Sequence, residues 1–381
     1  MRRHRQWSAW VAVVVATCSA SNGTNVADSA LDTTSSVIAI VNLDQQITQL
    51  RDEAGVEELL LVRSRFLGDY EALDRASALT EGRFETRAEL LRRARTRSAV
   101  HRFADALADV AAAERAGANA DEIVALRSSI LVATGRAADV IPQLEANLAR
   151  RPGFASRSAL AVAYAAVGRL ADADRLYAAA LADLDTTLPF PYAWIYFARG
   201  VMWAEQGGDA ARGEAMYAQA LTYLPEFAAA NIHLAELEVA RGDLASAMAR
   251  LERVVASSNE PEALALVGVL HVRTGDAVHG AREVSLARQR YESLLARDPL
   301  AFADHAAEFY LGPGADVERA WVLAQQNLAN RDMERAAALA IKAAEATGRY
   351  PDACALLIKY RSSPGGSLQI YLRNLERKFA Q

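Results

Sequence analysis

Apolar and polar positions along this chain follow the period of a helix, and the helical stretches come in pairs. In 157–181 (RSALAVAYAAVGRLADADRLYAAAL), Leu160, Ala161 and Tyr164 fall three and four residues apart. After a break, Ala173, Tyr177, Ala180 and Leu181 repeat that spacing. Such spacing lines one face of a helix. Between the two faces stands Gly168, whose freedom to adopt a positive φ ends the first helix and lets the chain reverse. The expected element is two antiparallel helices about a tight turn.

The unit then recurs. Its turn residue reappears as Gly68, His101, Gly135, Gly168, Gly208, Gly242, Gly275, Ala315 and Gly348, at intervals of 33, 34, 33, 40, 34, 33, 40 and 33. A period near 34 residues marks stacked helix pairs, each covering the apolar face of the next. Five positions after the turn stand Ala106, Ala173, Gly213, Ala247, Gly280, Ala320 and Ala353, small enough for the paired helices to approach closely. Leu73 and Val140 depart from this, and His101 and Ala315 replace the turn glycine.

Ala161, Tyr164, Gly168, Ala173, Tyr177 and Ala180 resemble the signature of the tetratricopeptide repeat (TPR) family, and Gly208, Tyr217, Ala220 and Pro225 follow it in the next unit. The resemblance implies an all-α, right-handed TPR superhelix (α-solenoid) of nine helix pairs over 54–362. Residues 363–381 would cap it as a last helix, with Leu372 and Leu375 covering the final unit. It also implies a concave groove lined by the first helix of each pair, and a role in holding a protein or peptide partner. One family subset grips a terminal carboxylate with Lys and Asn at two groove positions. Here those positions hold pairs such as Leu91/Arg95, Ile232/Glu236 and His305/Phe309, so that clamp is not expected.

The two 40-residue intervals read differently. From Ala277 to Arg297 an unbroken helical pattern predicts a second helix longer by seven residues, close to two turns. The other insertion, 182–191 (ADLDTTLPFP), reads as a lengthened loop, because Pro189 and Pro191 are poorly placed inside a helix. Nine aromatics crowd the 190–227 stretch just after it. Phe197 and Tyr217 fall on core positions, while Phe190, Tyr192 and Trp194 lead toward the groove positions Arg199, Met202 and Glu205. Those six form the expected partner site, since aromatics anchor protein contacts. Arg92 and Arg95 form a second candidate, suited to an acidic peptide or a phosphate headgroup.

Residues 1–20 read as a secretion signal: Arg2, Arg3 and Arg5, then an apolar run too short to span a bilayer. Val15-Ala16-Thr17-Cys18 resembles a lipobox, which would lipidate Cys18 and tether the chain to a membrane through polar residues in 21–53, a stretch that also holds a short leading helix. Thr17 is off-pattern and favours cleavage after Ala20. Either way the expected setting is outside the cytoplasm of a bacterium, in the periplasm or on its membrane.

Charge and chemistry narrow the function. Three of the 42 basic residues lie in the leader, leaving 39 against 47 acidic ones, and an acidic chain is a poor nucleic-acid binder. No phosphate-cradling loop, nucleophile elbow or paired-cysteine metal motif stands in the sequence, so neither an enzyme nor a cofactor is expected. His233/Glu236 and His305/Glu308 are spaced as helical metal ligands, but stand two repeats apart and are expected to lie too far from one another for a shared metal. The expected function is a non-catalytic interaction scaffold. The alternative is a receptor for a small ligand such as a glycan fragment, held on the aromatics around Trp194 and Trp203.

Overall fold

The computed structural model describes residues 33–82, 86–258 and 260–360, which form nineteen helices and no strand. The expected signal, Cys18 and the 363–381 cap lie outside the described residues. After a leading helix α1 (Ser36–Leu50) come the nine pairs. They are α2 (Val56–Leu67) with α3 (Tyr70–Thr80), α4 (Arg87–Ala99) with α5 (Phe103–Arg115), and α6 (Ala120–Ala133) with α7 (Ala137–Arg150). Next are α8 (Phe154–Ala166) with α9 (Leu170–Ala182), α10 (Pro189–Val201) with α11 (Ala210–Tyr223), and α12 (Ala228–Ala240) with α13 (Leu244–Ser257). Last are α14 (Pro261–Arg273) with α15 (Ala277–Arg297), α16 (Pro299–Leu311) with α17 (Val317–Asn330), and α18 (Glu334–Ala346) with α19 (Tyr350–Tyr360).

All nine turn residues have positive φ, His101 at 57° and Ala315 at 49° included. The residue after the turn often caps the second helix. Asp69, Asp209, Asp243, Asp276 and Asp316 each accept a hydrogen bond from the backbone N–H three residues on, at 3.0–3.2 Å. The small residues five past the turn hold the pairs together as expected. A Cβ on Gly213 would stand 2.5 Å from the Ala204 Cβ, and one on Gly280 would stand 2.7 Å from the Gly268 carbonyl.

The long second helix is α15, Ala277–Arg297, as read from the sequence. The other insertion differs from expectation. Pro189 and Pro191 sit in the first turn of α10, where a missing N–H costs nothing. The helix then runs on through a π-turn, Met202–Gln206. Much of the insertion therefore lengthens a helix, and only residues 183–188 form a loop.

The superhelix winds tightly enough for successive turns to touch, at an offset of five to six pairs. Gly68, in the first pair, faces Ala228 and Ser258, which flank the sixth pair. His101, in the second, sets its Nδ1 3.1 Å from the Leu300 carbonyl oxygen at the start of the eighth, and its own carbonyl accepts from Asn330 at 3.0 Å. Gly135, in the third, lies so close that a Cβ would stand 2.1 Å from the Asp332 carbonyl between the eighth and ninth. One superhelical turn thus takes between five and six pairs. Polar and aromatic joints close it: Tyr70 on Phe302 and Glu260, Arg297 on Asp74, and Phe66 on Phe190 and Phe227 at ring distances of 5.2 and 4.8 Å. The leading segment joins in, with Thr34 N–H donating to the Thr187 carbonyl at 2.7 Å and Ser36 to Glu226 at 3.0 Å.

Candidate functional site

Closure turns the expected open groove into an axial lumen. The first helices of the pairs still line it, but they face one another across a shared, partly open space. One chamber has a volume of about 470 Å³, bounded by Ser64 and Arg65 of α2, Arg95 and Ser98 of α4, Ser128 and Ser129 of α6, Val162 of α8, Trp194 of α10 and Phe302 and His305 of α16. A second, of about 320 Å³, is bounded by Glu205, His233, Glu236, Glu262, His305, Glu308, Arg335 and Lys342. His305 belongs to both.

The first chamber sets Arg65 and Arg95 against one lining carboxyl, Glu260, which Tyr70 holds. Arg95 is 3.5 Å from Glu58, whose carboxyl is pushed up to about 8 by burial despite Arg95. Arg65 has no hydrogen bond or ion pair within the described residues, and burial pulls its guanidinium below the usual value with no charge to offset it. Its side chain is nonetheless open to water, because it projects into the lumen.

The second chamber is acidic. His233 Nδ1 lies 3.4 Å from Glu205 and 3.6 Å from Glu236, and His305 Nδ1 lies 3.3 Å from Glu262. Arg335 reaches Glu205 at 3.2 Å. Burial raises Glu236 to about 8, with Glu262, Glu308 and Glu205 adding to the rise. For His305, burial acts downward, but Asp304 and Glu262 overcome it and hold the imidazole well above its usual range. For Asp304, burial acts upward, and His305, His101 and Arg331 outweigh it to hold the carboxyl low.

The residues expected to bind a partner are distributed differently from expectation. Trp194 and Arg95 line the first chamber and Glu205 the second. Tyr192 and Met202, 5% and 1% exposed, are packed in the core and closed to a partner. Phe190 meets the chain's own Phe66. Arg199 is held by Asp174 at 2.8 Å, and Arg92 by the buried Glu57 at 2.5 Å. The aromatic concentration after the insertion is thus largely the joint between superhelical turns. One face of the Trp203 ring is covered by Arg212 at 4.5 Å, and its Nε1 donates to Asp174.

His233/Glu236 and His305/Glu308 line one chamber, although the residues that stand within ligand distance of one another there are Glu262, His305 and Glu308. Successive first helices converge on the inside of a tight superhelix, so residues two repeats apart meet there. Arg65 was missed because nothing local distinguishes it from the chain's other arginines.

Residues 204–270 match the family model described as Tetratricopeptide repeat, from the end of α10 to α14. Such repeats generally form non-catalytic scaffolds for protein–protein interaction. No curated protein matches the sequence. Among solved structures, the chain is similar to one in the APC/C hetero-tetramer Cut9–Hcn1, at 16% identity and a TM-score of 0.46, with 83% of this chain and 65% of that one covered. It thus spans less than two thirds of that chain's length. A tetratricopeptide repeat protein from Parabacteroides merdae is 15% identical, with a TM-score of 0.39 and coverage of 66% and 93%. A human IFIT1 dimer with m7Gppp-AAAA is 14% identical, with a TM-score of 0.43 and coverage of 92% and 89%.

Proposed function

We propose that the chain is an exported, non-catalytic interaction scaffold that draws an acidic end of a partner, a carboxylate, into the axial lumen against Arg65. The observation that carries this reading is a guanidinium without a counter-ion in a chamber bordered by serine hydroxyls. A water-facing guanidinium with no protein counter-ion is free to make charge-assisted hydrogen bonds, so the chamber favours an anion that supplies the missing half. About 470 Å³ suits a compact group or a few residues of an extended chain, not a folded surface. Export rests on the basic and apolar leader in 1–20, with Cys18 as the lipid anchor or Ala20 as the end of the signal.

Wild type and Arg65→Ala, immobilised and exposed to solubilised cell envelopes, provide the test. The wild type captures a partner that Arg65→Ala, with unchanged circular dichroism, loses. Short acidic peptides with free or amidated C-termini then separate a terminal carboxylate from a side-chain one, and citrate serves as the small-acid alternative. Equal capture by both proteins removes the lumen from the account. Fractionating cells that carry Cys18→Ser tests the anchor, and an intact Met1 in the cytosol contradicts export.

A further inference from the structure

The second chamber carries a separate inference, independent of the partner. Glu262, His305 and Glu308 each offer a ligand atom, and these atoms all lie within 4.8 Å of one another. They come from two neighbouring first helices, α14 and α16, which the winding of the superhelix sets side by side. His305 Nδ1 is sealed from water and makes no hydrogen bond, although Glu262 Oε2 is only 3.3 Å away. Glu205 Oε1 is equally sealed and unbonded, 3.4 Å from His233 Nδ1. A bound ion is one way such a buried polar atom is satisfied.

The spacing has a direct meaning. Two ligands each about 2.1 Å from a tetrahedral cation stand about 3.4 Å apart. The 3.3 Å between His305 Nδ1 and Glu262 Oε2 is close to that value and long for a charge-assisted hydrogen bond. Four carboxyl groups, Glu205, Glu236, Glu262 and Glu308, face Arg335 and Lys342 in this chamber.

We propose that Glu262, His305 and Glu308 bind a divalent cation of the zinc class in this chamber. Mixed imidazole and carboxylate ligands suit zinc and its first-row neighbours. Three protein ligands leave a fourth position open toward the chamber, beside His233 and Glu236.

Untagged full-length chain, stripped with chelator and titrated with Zn²⁺ in a calorimeter, gives the test. The expected result is about one ion per chain, with affinity falling more than about tenfold in Glu308→Gln and in His305→Ala. Glu308 is exposed, so its variant keeps the fold and the reading does not depend on His305→Ala remaining folded. His271 and His279, 5.8 Å apart and close to Asp276, provide the control for adventitious surface binding. Zinc that is lost with His279→Ala but retained by Glu308→Gln overturns the proposal, as does the absence of binding by the wild type.

Discussion

The Tyr70 hydroxyl donates a 2.5 Å hydrogen bond to Glu260, joining residues 190 positions apart in the first and seventh helix pairs. Burial, reinforced by Glu262, pushes the Glu260 carboxyl up to about 7, so this bond satisfies a group that is costly to leave bare. Tyr70→Phe keeps the ring on Phe302 and removes only the hydroxyl. It should lower stability by about 1–3 kcal/mol in chemical denaturation. An unchanged midpoint would remove this bond from the closure.

Two turn glycines separate the cost of the turn from the cost of closure. A Cβ at Gly242 meets nothing within 4 Å, whereas one at Gly135 would run into the Asp332 backbone. Gly242→Ala should cost about 1 kcal/mol, from positive φ alone. Gly135→Ala pays the same strain and must also push two superhelical turns apart, so its melting temperature should fall clearly further. Equal losses would mean that the turns do not touch at this point.

Phe190 and Tyr192 make contacts that hold the fold. Phe190 packs on Phe66, and Tyr192 stacks on Tyr223 at 4.9 Å and donates to the Thr186 carbonyl. Replacing both with Ala should destabilise the protein by more than about 3 kcal/mol. A double variant that melts like the wild type would return these residues to the list of partner contacts.

Glu58 sets a pH dependence. Its folded-state carboxyl, raised to about 8 by burial, binds a proton that the unfolded chain gives up near 4.5. Its contribution to stability is therefore complete below pH 4.5 and is lost as pH rises through 8. Glu58→Gln should flatten the stability profile across that window and leave the variant the more stable protein at pH 8, on the order of a few kcal/mol. Parallel profiles for the two proteins would show that the carboxyl titrates normally.

The helix pairs were legible because each is specified locally. Gly168 with the faces at Leu160–Tyr164 and Ala173–Leu181 needs no knowledge of distant residues, and the same holds for α15. Winding was not legible. It accumulates from a small rotation at each of five or six interfaces, and no residue in 157–181 records that sum. What depends on winding was misplaced for that reason: Phe190 was expected to meet a partner and meets Phe66, and the nearness of Glu262 to His305 and Glu308 was not foreseen. Arg65 gave no local sign of its place in the lumen.

Amide hydrogen exchange along α2 measures closure most directly. In an open solenoid the first pair is a frayed end that exchanges through local opening, far below the free energy of global unfolding. In this structure Phe66 is held by Phe190 and Phe227, and Tyr70 by Glu260 and Phe302. The amides of Val56–Leu67 should therefore exchange as slowly as those of α12 and α14 in the middle of the chain, and Tyr70→Phe should speed them selectively. Exchange in α2 that is fast and indifferent to Tyr70 would contradict the closed superhelix, and the lumen with it.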